Sequence, residues 1–278
     1  MVKIKAPAKI NLTLEVLGKR PDGFHEIRSV IQAIDLYDTL YIEAGRGFTF
    51  QCDLPDWQAE KSLVNRVLQL LPLDSKAGAF IRLEKRIPML SGLGGDSSDA
   101  AALLKGLDEF YGFNLSNERL HELAIQLGSD VAFFIDGGTA LAEGRGEILK
   151  PLSPPPRTWI VVIVPKITVE PGKTARMYAT LKPINYTEGA ITANLVKTLE
   201  NGGTIGSGLL YNVFEDIVFD MYPRFSYYIS GLIRLGVPVH LSGSGPALFA
   251  LFQDKALAEE LCKKCNEHKA TAFLAETL

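Results

Sequence analysis

The run Pro88-Met89-Leu90-Ser91-Gly92-Leu93-Gly94-Gly95-Asp96-Ser97-Ser98-Asp99-Ala100-Ala101 carries the clearest chemistry in this 278-residue chain. Glycines at 92, 94 and 95 remove Cβ atoms, so backbone N–H groups can come close to a ligand. The alanine-rich stretch that follows reads as a helix, whose start offers unpaired N–H donors and the positive end of a dipole. Together these suit a phosphate group. The plainer reading is a loop with Ser97 or Ser98 as a helix cap. The density of glycines before the two serines favours the anion site. Two familiar phosphate patterns do not apply. Gly172-Lys173-Thr174 ends like a P-loop, but the required first glycine falls at Ile167. Gly92 and Gly94 begin a dinucleotide fingerprint, but Ser97 stands where the third glycine belongs.

Elements must hold this loop in place. Residues 3–17 read as strand broken at Pro7, followed by a turn at Pro21-Asp22-Gly23. Val30–Ile34, Thr39–Ile42 and Phe80–Leu83 read as strands. Leu63, Val64, Val67, Leu68 and Leu71 have helical spacing, with Ser62 as a cap. The helix after the loop is predicted to end near Tyr111-Gly112, and another to run from Ser116 to Leu127-Gly128. Ser153-Pro154-Pro155-Pro156 predicts a boundary between domains 1–153 and 154–278. Beyond it come strand (Trp159–Val164), helix (near Pro223–Leu235), strand (Val237–Leu241), strand (Ala247–Phe252), helix (Lys255–Lys264) and strand (Ala270–Leu274). That order is the split βαβ of ferredoxin-like domains. Helical material near Thr174–Lys182 and Ala190–Leu199 interrupts it. The fold class expected is therefore α+β.

Composition narrows the partners. A net charge of −3 gives no reason to expect nucleic acid or an acidic membrane. No apolar run reaches the roughly eighteen residues of a membrane span, and the first residues lack the apolar stretch of a signal peptide. Three cysteines cannot all pair internally, which points to a reducing cytoplasm. Cys262 and Cys265 form a C-x-x-C on a Lys-rich helical stretch without a second ligand pair, so packing is favoured over zinc or redox chemistry.

The glycine–serine loop closely resembles that of the GHMP kinases, a family named after galactokinase, homoserine kinase, mevalonate kinase and phosphomevalonate kinase. Pro7-Ala8-Lys9-Ile10-Asn11-Leu12, Gly18-Lys19-Arg20-Pro21-Asp22-Gly23-Phe24-His25, Leu127-Gly128-Ser129-Asp130-Val131 and Leu241-Ser242-Gly243-Ser244-Gly245-Pro246 resemble the family branch whose acceptor is a cytidine diphosphate-linked methylerythritol. The resemblance covers essentially the whole chain. It implies a two-domain architecture, with an N-terminal domain like ribosomal protein S5 domain 2 and a ferredoxin-like C-terminal domain. It also implies ATP and Mg²⁺ as cofactors, a small-molecule acceptor in a cleft between the domains, and a monomer or weak dimer. The step belongs to the non-mevalonate route to isoprenoid precursors.

The resemblance also assigns roles. Pro88, Leu90, Ser91, Gly92, Leu93, Gly94, Gly95, Asp96, Ser97 and Ser98 would wrap the ATP phosphates. Asp130 would be the general base and Lys9 the cation beside it, favouring ionised Asp130 and stabilising charge on the transferred group. Asn11 would hold the sugar alcohol and His25 the cytosine edge. Phe24 and Tyr178, the latter four residues after Thr174, would sandwich the base; Thr174, Gly243 and Ser244 would line the substrate site. Two positions depart from the family pattern. Asp96 stands in the loop where glycine is common, and would turn either toward Mg²⁺ or into solvent. Ser62 stands where asparagine is common near adenine. Asn212-Val213-Phe214-Glu215 looks like a family motif without an evident role. Alternative functions are a homoserine- or mevalonate-type kinase, or an inactive sensor that binds nucleotide and sugar.

Overall fold

The computed structural model describes residues 1–73, 77–222, 225–234, 236–267 and 270–278. In chain order the strands are β1 (Val2–Asn11), β2 (Thr13–Lys19), β3 (His25–Ala44), β4 (Phe48–Cys52), β5 (Ala79–Glu84), β6 (Thr139–Gly144), β7 (Ile148–Pro151), β8 (Trp159–Pro165), β9 (Tyr211–Asn212), β10 (His240–Leu241), β11 (Leu248–Phe252) and β12 (Ala270–Glu276). The α-helices are α1 (Val64–Val67), α2 (Gly95–Tyr111), α3 (Asn117–Leu127), α4 (Ser129–Asp136), α5 (Lys173–Thr180), α6 (Ala190–Glu200), α7 (Val218–Met221), α8 (Phe225–Arg234) and α9 (Lys255–Glu267). No helix among the described residues is long and apolar enough to cross a membrane. Contacts divide the chain into two compact units that interleave in sequence.

The first unit comprises Met1–Ala8, Leu36–Met89 and Gly94–Gly137. Here the end of β3 pairs antiparallel with β5, Thr39 opposite Glu84 through Ala44 opposite Ala79, and β4 adds to β5 in parallel. The helices α2, α3 and α4 pack on one another. Their apolar faces bury Ala100, Leu103, Leu104, Leu107, Leu123, Val131 and Phe133, and the strands bury Leu40, Ile42, Ile81 and Leu83. Burying each such large side chain contributes roughly 1.5–3 kcal/mol, so the unit has a real core.

The second unit comprises Lys9–Asp35, Leu90–Leu93 and Gly138–Leu278. β2 pairs antiparallel with the start of β3, with an irregularity between Val16 and Gly18, and β3 pairs with β6 from Ile27 opposite Gly144 to Gln32 opposite Thr139. A separate sheet has the order β10-β11-β8-β12, with every pairing antiparallel. With α8 and α9 as its connections this is the expected split βαβ. Its core joins Val161, Ile163, Met177, Phe214, Phe225, Leu241, Leu248 and Leu261. The Pro154–Pro156 run lies within this unit.

Several elements differ from the sequence reading. β1 runs through Pro7 unbroken, because proline suits an extended chain and removes only one ladder donor. β3 is one 20-residue strand rather than two. Its interior acids do not break it because both are used: Asp35 Oδ1 accepts from Glu276 N at 2.6 Å, and Asp38 Oδ1 accepts from Arg86 N and Ile87 N at 2.5 and 2.8 Å. The helix expected over 63–71 shrinks to Val64–Val67, and Pro72 bars Leu71 from helical geometry. β6, β7, β9 and α4 had no counterpart in the reading. The helix expected near Pro223–Leu235 spans Phe225–Arg234; Pro223 and Leu235 lie outside the described residues.

Candidate active site

In the second unit, β1 ends in a buried polar chain. The Lys9 ammonium, 4% exposed, donates to Asn11 Oδ1 at 2.6 Å. Asn11 Nδ2 donates to Ser29 Oγ at 2.8 Å, and Ser29 Oγ donates to the Thr13 carbonyl at 2.5 Å. Each member is thus oriented by the next, which is how a cation is held at a fixed point inside a protein. Two glycine turns flank it. Lys9 N donates to the Leu93 carbonyl at 2.9 Å, and Ser242 Oγ donates to the Gly92 carbonyl at 3.1 Å. Gly92 has φ +89°, and a Cβ there would meet the Ser242 carbonyl oxygen at 2.2 Å. At Gly243, φ +54°, a Cβ would sit 3.1 Å from Lys9 Nζ and 3.3 Å from Asn11 Oδ1. Both positions therefore require glycine. Asn212, in the motif without an evident role, holds the second turn: its Nδ2 donates to the Leu241 and Gly243 carbonyls, both at 2.8 Å.

The same unit gathers the other expected substrate residues. Thr174 Oγ1 and Ser244 Oγ share a hydrogen bond at 2.8 Å. The His25 ring stacks on Tyr178 with centroids 5.3 Å apart, and Tyr186 meets it edge-on at 6.1 Å. Burial, with Lys19 nearby, holds the His25 imidazole below its usual pKa, so the ring is neutral at neutral pH. Phe24 is 54% exposed, beneath the Arg145 guanidinium at 4.8 Å. Lys173 also reaches this region, donating to the Leu90 carbonyl at 3.0 Å and to the Gly245 carbonyl. The sequence reading sets Gly172-Lys173-Thr174 aside as a P-loop; a glycine and lysine directly before the helical material expected near Thr174 are the signal that points to it.

The first unit holds Pro88 and the helical end of the loop. Ser98 N makes the first intrahelical bond, to the Gly94 carbonyl at 2.9 Å, so the amides of Gly95, Asp96 and Ser97 precede the helical ladder. Asp96 turns to Ser62: its carboxylate accepts from Ser62 Oγ and from Leu63 N at 3.2 Å. The two positions that depart from the family pattern are thus partners. Below this turn Lys85 Nζ bonds Asp38 Oδ2 at 2.5 Å and Asp99 Oδ2 at 2.6 Å, with all three side chains buried. Burial pushes the Asp99 carboxyl up to about 8, with Asp38 adding to the rise against the opposing pull of Lys85. Asp130 lies just past α3, which stops at Leu127 with Gly128 as its cap, as expected. It is the second residue of α4, a helix the sequence reading did not include. Its carboxylate has no hydrogen-bond or ion-pair partner among the described residues.

The C-x-x-C pair lies on α9, with Cys265 buried and its thiol pushed up to about 11 by burial. A thiol that holds its proton this firmly has little reactivity.

Comparison with known proteins places the chain. Residues 62–138 match the GHMP kinases N terminal domain, and residues 191–271 match the GHMP kinases C terminal domain. A 4-diphosphocytidyl-2-C-methyl-D-erythritol kinase of Dehalococcoides mccartyi is 40% identical, over 100% of this chain and 99% of that protein. A kinase of the same name from Shouchella clausii is 37% identical over 91% of this chain and 86% of its own. A crystal structure of 4-(cytidine 5'-diphospho)-2C-methyl-D-erythritol kinase superposes with TM-score 0.83 at 31% identity, covering 99% of each chain. The homoserine kinase of Cytophaga hutchinsonii, at TM-score 0.73 and 20% identity, shares the fold, covering 100% of this chain and 94% of its own. The chain belongs to the GHMP kinase family.

Proposed function

We propose that the chain transfers the terminal phosphoryl group of ATP to the 2-hydroxyl of 4-diphosphocytidyl-2-C-methyl-D-erythritol. The acceptor follows from full-length similarity to relatives of that name. One observation carries the chemistry: a buried lysine, Lys9, fixed by Asn11 beside Gly243, where a Cβ would stand 3.1 Å from its amine. Such a cation can meet the charge of a transferring phosphoryl group without moving.

ATP supplies the phosphoryl group, and the donor set suits it: a helix start whose first amides precede the helical ladder, next to a glycine-rich loop. Among the described residues no group of three acidic, histidine or cysteine side chains could hold a metal ion. Mg²⁺ bound mainly by the nucleotide's own phosphates is compatible with that, since this ion commonly uses one or two carboxylates plus phosphate oxygens. Asp96 is the carboxylate of the loop. Asp130 takes the proton of the acceptor hydroxyl as its oxygen bonds to phosphorus and ADP departs. Lys9 steadies the charge on the transferred group. Asn11 holds the alcohol. Phe24 and Tyr178 cover the cytosine faces, and His25 reads its edge. The inherited modules are 1–153 and 154–278, working in the cytoplasm.

The test is turnover of the purified protein with ATP and Mg²⁺, offered in turn the diphosphocytidyl alcohol, homoserine and mevalonate. Phosphorylation of the first alone is expected. Turnover of either other acceptor instead, or nucleotide binding without any product, would replace this reading.

A further inference from the structure

Lys173 opens α5 and is 5% exposed. A buried amine at the positive end of a helix is unfavourable twice over, through desolvation and through the dipole. Among the described residues it has no carboxylate partner. Its amine instead bonds two backbone carbonyls, that of Leu90 at 3.0 Å and that of Gly245. Leu90 immediately precedes the Ser91-Gly92 turn and holds φ +55°, a conformation uncommon for any residue but glycine. Gly245 closes the other turn, its N–H bonded to the Ser242 carbonyl at 2.8 Å. Packing alone would be served by an apolar residue.

Resting on the kinase reading, we infer that Lys173 is a positioning residue for the transfer: one amine pins the Leu90 and Gly245 carbonyls. It thereby fixes the two glycine turns that flank Lys9, and it provides a second cation when ligand phosphates arrive. The charged group opposing it is Lys9 from β1. On its own helix Arg176 turns away, to Glu170 at 3.4 Å and the Pro171 carbonyl at 3.0 Å, and the two turns offer only carbonyls. Burial first, then Lys9, bring the Lys173 amine down to about 7. The free protein thus holds it partly neutral, and an entering phosphate draws a proton onto it.

Two measurements test this. Lys173→Met keeps the stem and removes every donor, while Lys173→Gln restores an N–H donor without charge. With thermal unfolding showing both folded, Lys173→Met is expected to lose about 10–100-fold in kcat, from misplaced turns. Lys173→Gln should recover part of that loss. In the wild type kcat/KM for the acceptor should fall as pH rises through about 7, and this limb should vanish in both variants. Carbon-13 NMR of labelled lysine methylenes, assigned with Lys173→Gln, reads the wild type directly. Lys173 should titrate near 7 in the free protein and higher with the diphosphocytidyl alcohol or ATP added. A wild type that turns over while Lys173 titrates near its ordinary 10.5 overturns the inference alone. So do variants that lose thermal stability but keep wild-type kcat and pH profile. A wild type without turnover sinks the kinase reading and the positioning role together.

Discussion

Each unit buries a lysine, and the two surround it with different partners. In the first, Lys85 sits between Asp38 and Asp99, so one cation answers two acids and the proton held by Asp99 makes up the difference. In the second, Lys173 has no carboxylate partner among the described residues and bonds two backbone carbonyls. The first cluster is balanced from within and braces the strand ends under α2. The second holds an amine, that of Lys173, which no carboxylate among the described residues answers, and burial brings it down to about 7 instead. A lysine answered by carboxylates braces the fold; a buried amine held only by carbonyls can take up charge when a phosphate arrives.

Asp130 gives the sharpest way to break the contrast, being an acid of the first unit with no hydrogen-bond or ion-pair partner among the described residues. Asp130→Asn should lower turnover about 10²–10⁴-fold with little change in stability, read by steady-state rates beside thermal unfolding. Near-normal turnover would put Asp130 back among ordinary helix-start residues. The braced cluster should respond in stability instead. Asp38→Asn leaves Lys85 under-answered and weakens the bonds from Arg86 N and Ile87 N, so denaturant unfolding should show a loss of about 3–5 kcal/mol. Asp99→Asn should cost far less, because that carboxyl already carries a proton over much of the pH range. Its raised pKa gives the sign. The stabilisation is complete below the ordinary 3.8 and is lost as pH rises through about 8. Asp99→Asn should flatten that part of the stability–pH curve, and an unchanged slope would argue against the protonated form.

Smaller effects sharpen the second unit. Removing the Tyr178 ring in Tyr178→Ala should raise KM for the cytidine substrate roughly tenfold and leave KM for ATP near its original value. Equal shifts in both would deny the ring a role with the base. Smallest is Ser62→Ala, which deletes one donor to an exposed acid and should cost about 1 kcal/mol or less in unfolding free energy.

Much of this was legible in the sequence, and the illegible part has a common cause. The glycine–serine loop, the ferredoxin-like strand order and the Ser116 cap of α3 are local signals, and the last is made as expected, Ser116 Oγ accepting from Arg119 N at 3.2 Å. What failed was non-local. Asp35 and Asp38 look like strand breakers until backbone amides from 86, 87 and 276 are found to meet them. Lys173 looked like a spoiled motif because its partners lie 83 and 72 residues away. Ser62 and Asp96 read as two separate departures, and only the fold joins them.

The contrast between the two buried-lysine clusters is tested most directly by calorimetric titration of the diphosphocytidyl alcohol into three proteins. Lys9→Met should bind at least about tenfold more weakly than the wild type, since a charged hydrogen bond to the ligand is lost. Asp99→Asn should bind as the wild type does. Undiminished binding by Lys9→Met, or a loss confined to Asp99→Asn, would contradict the account.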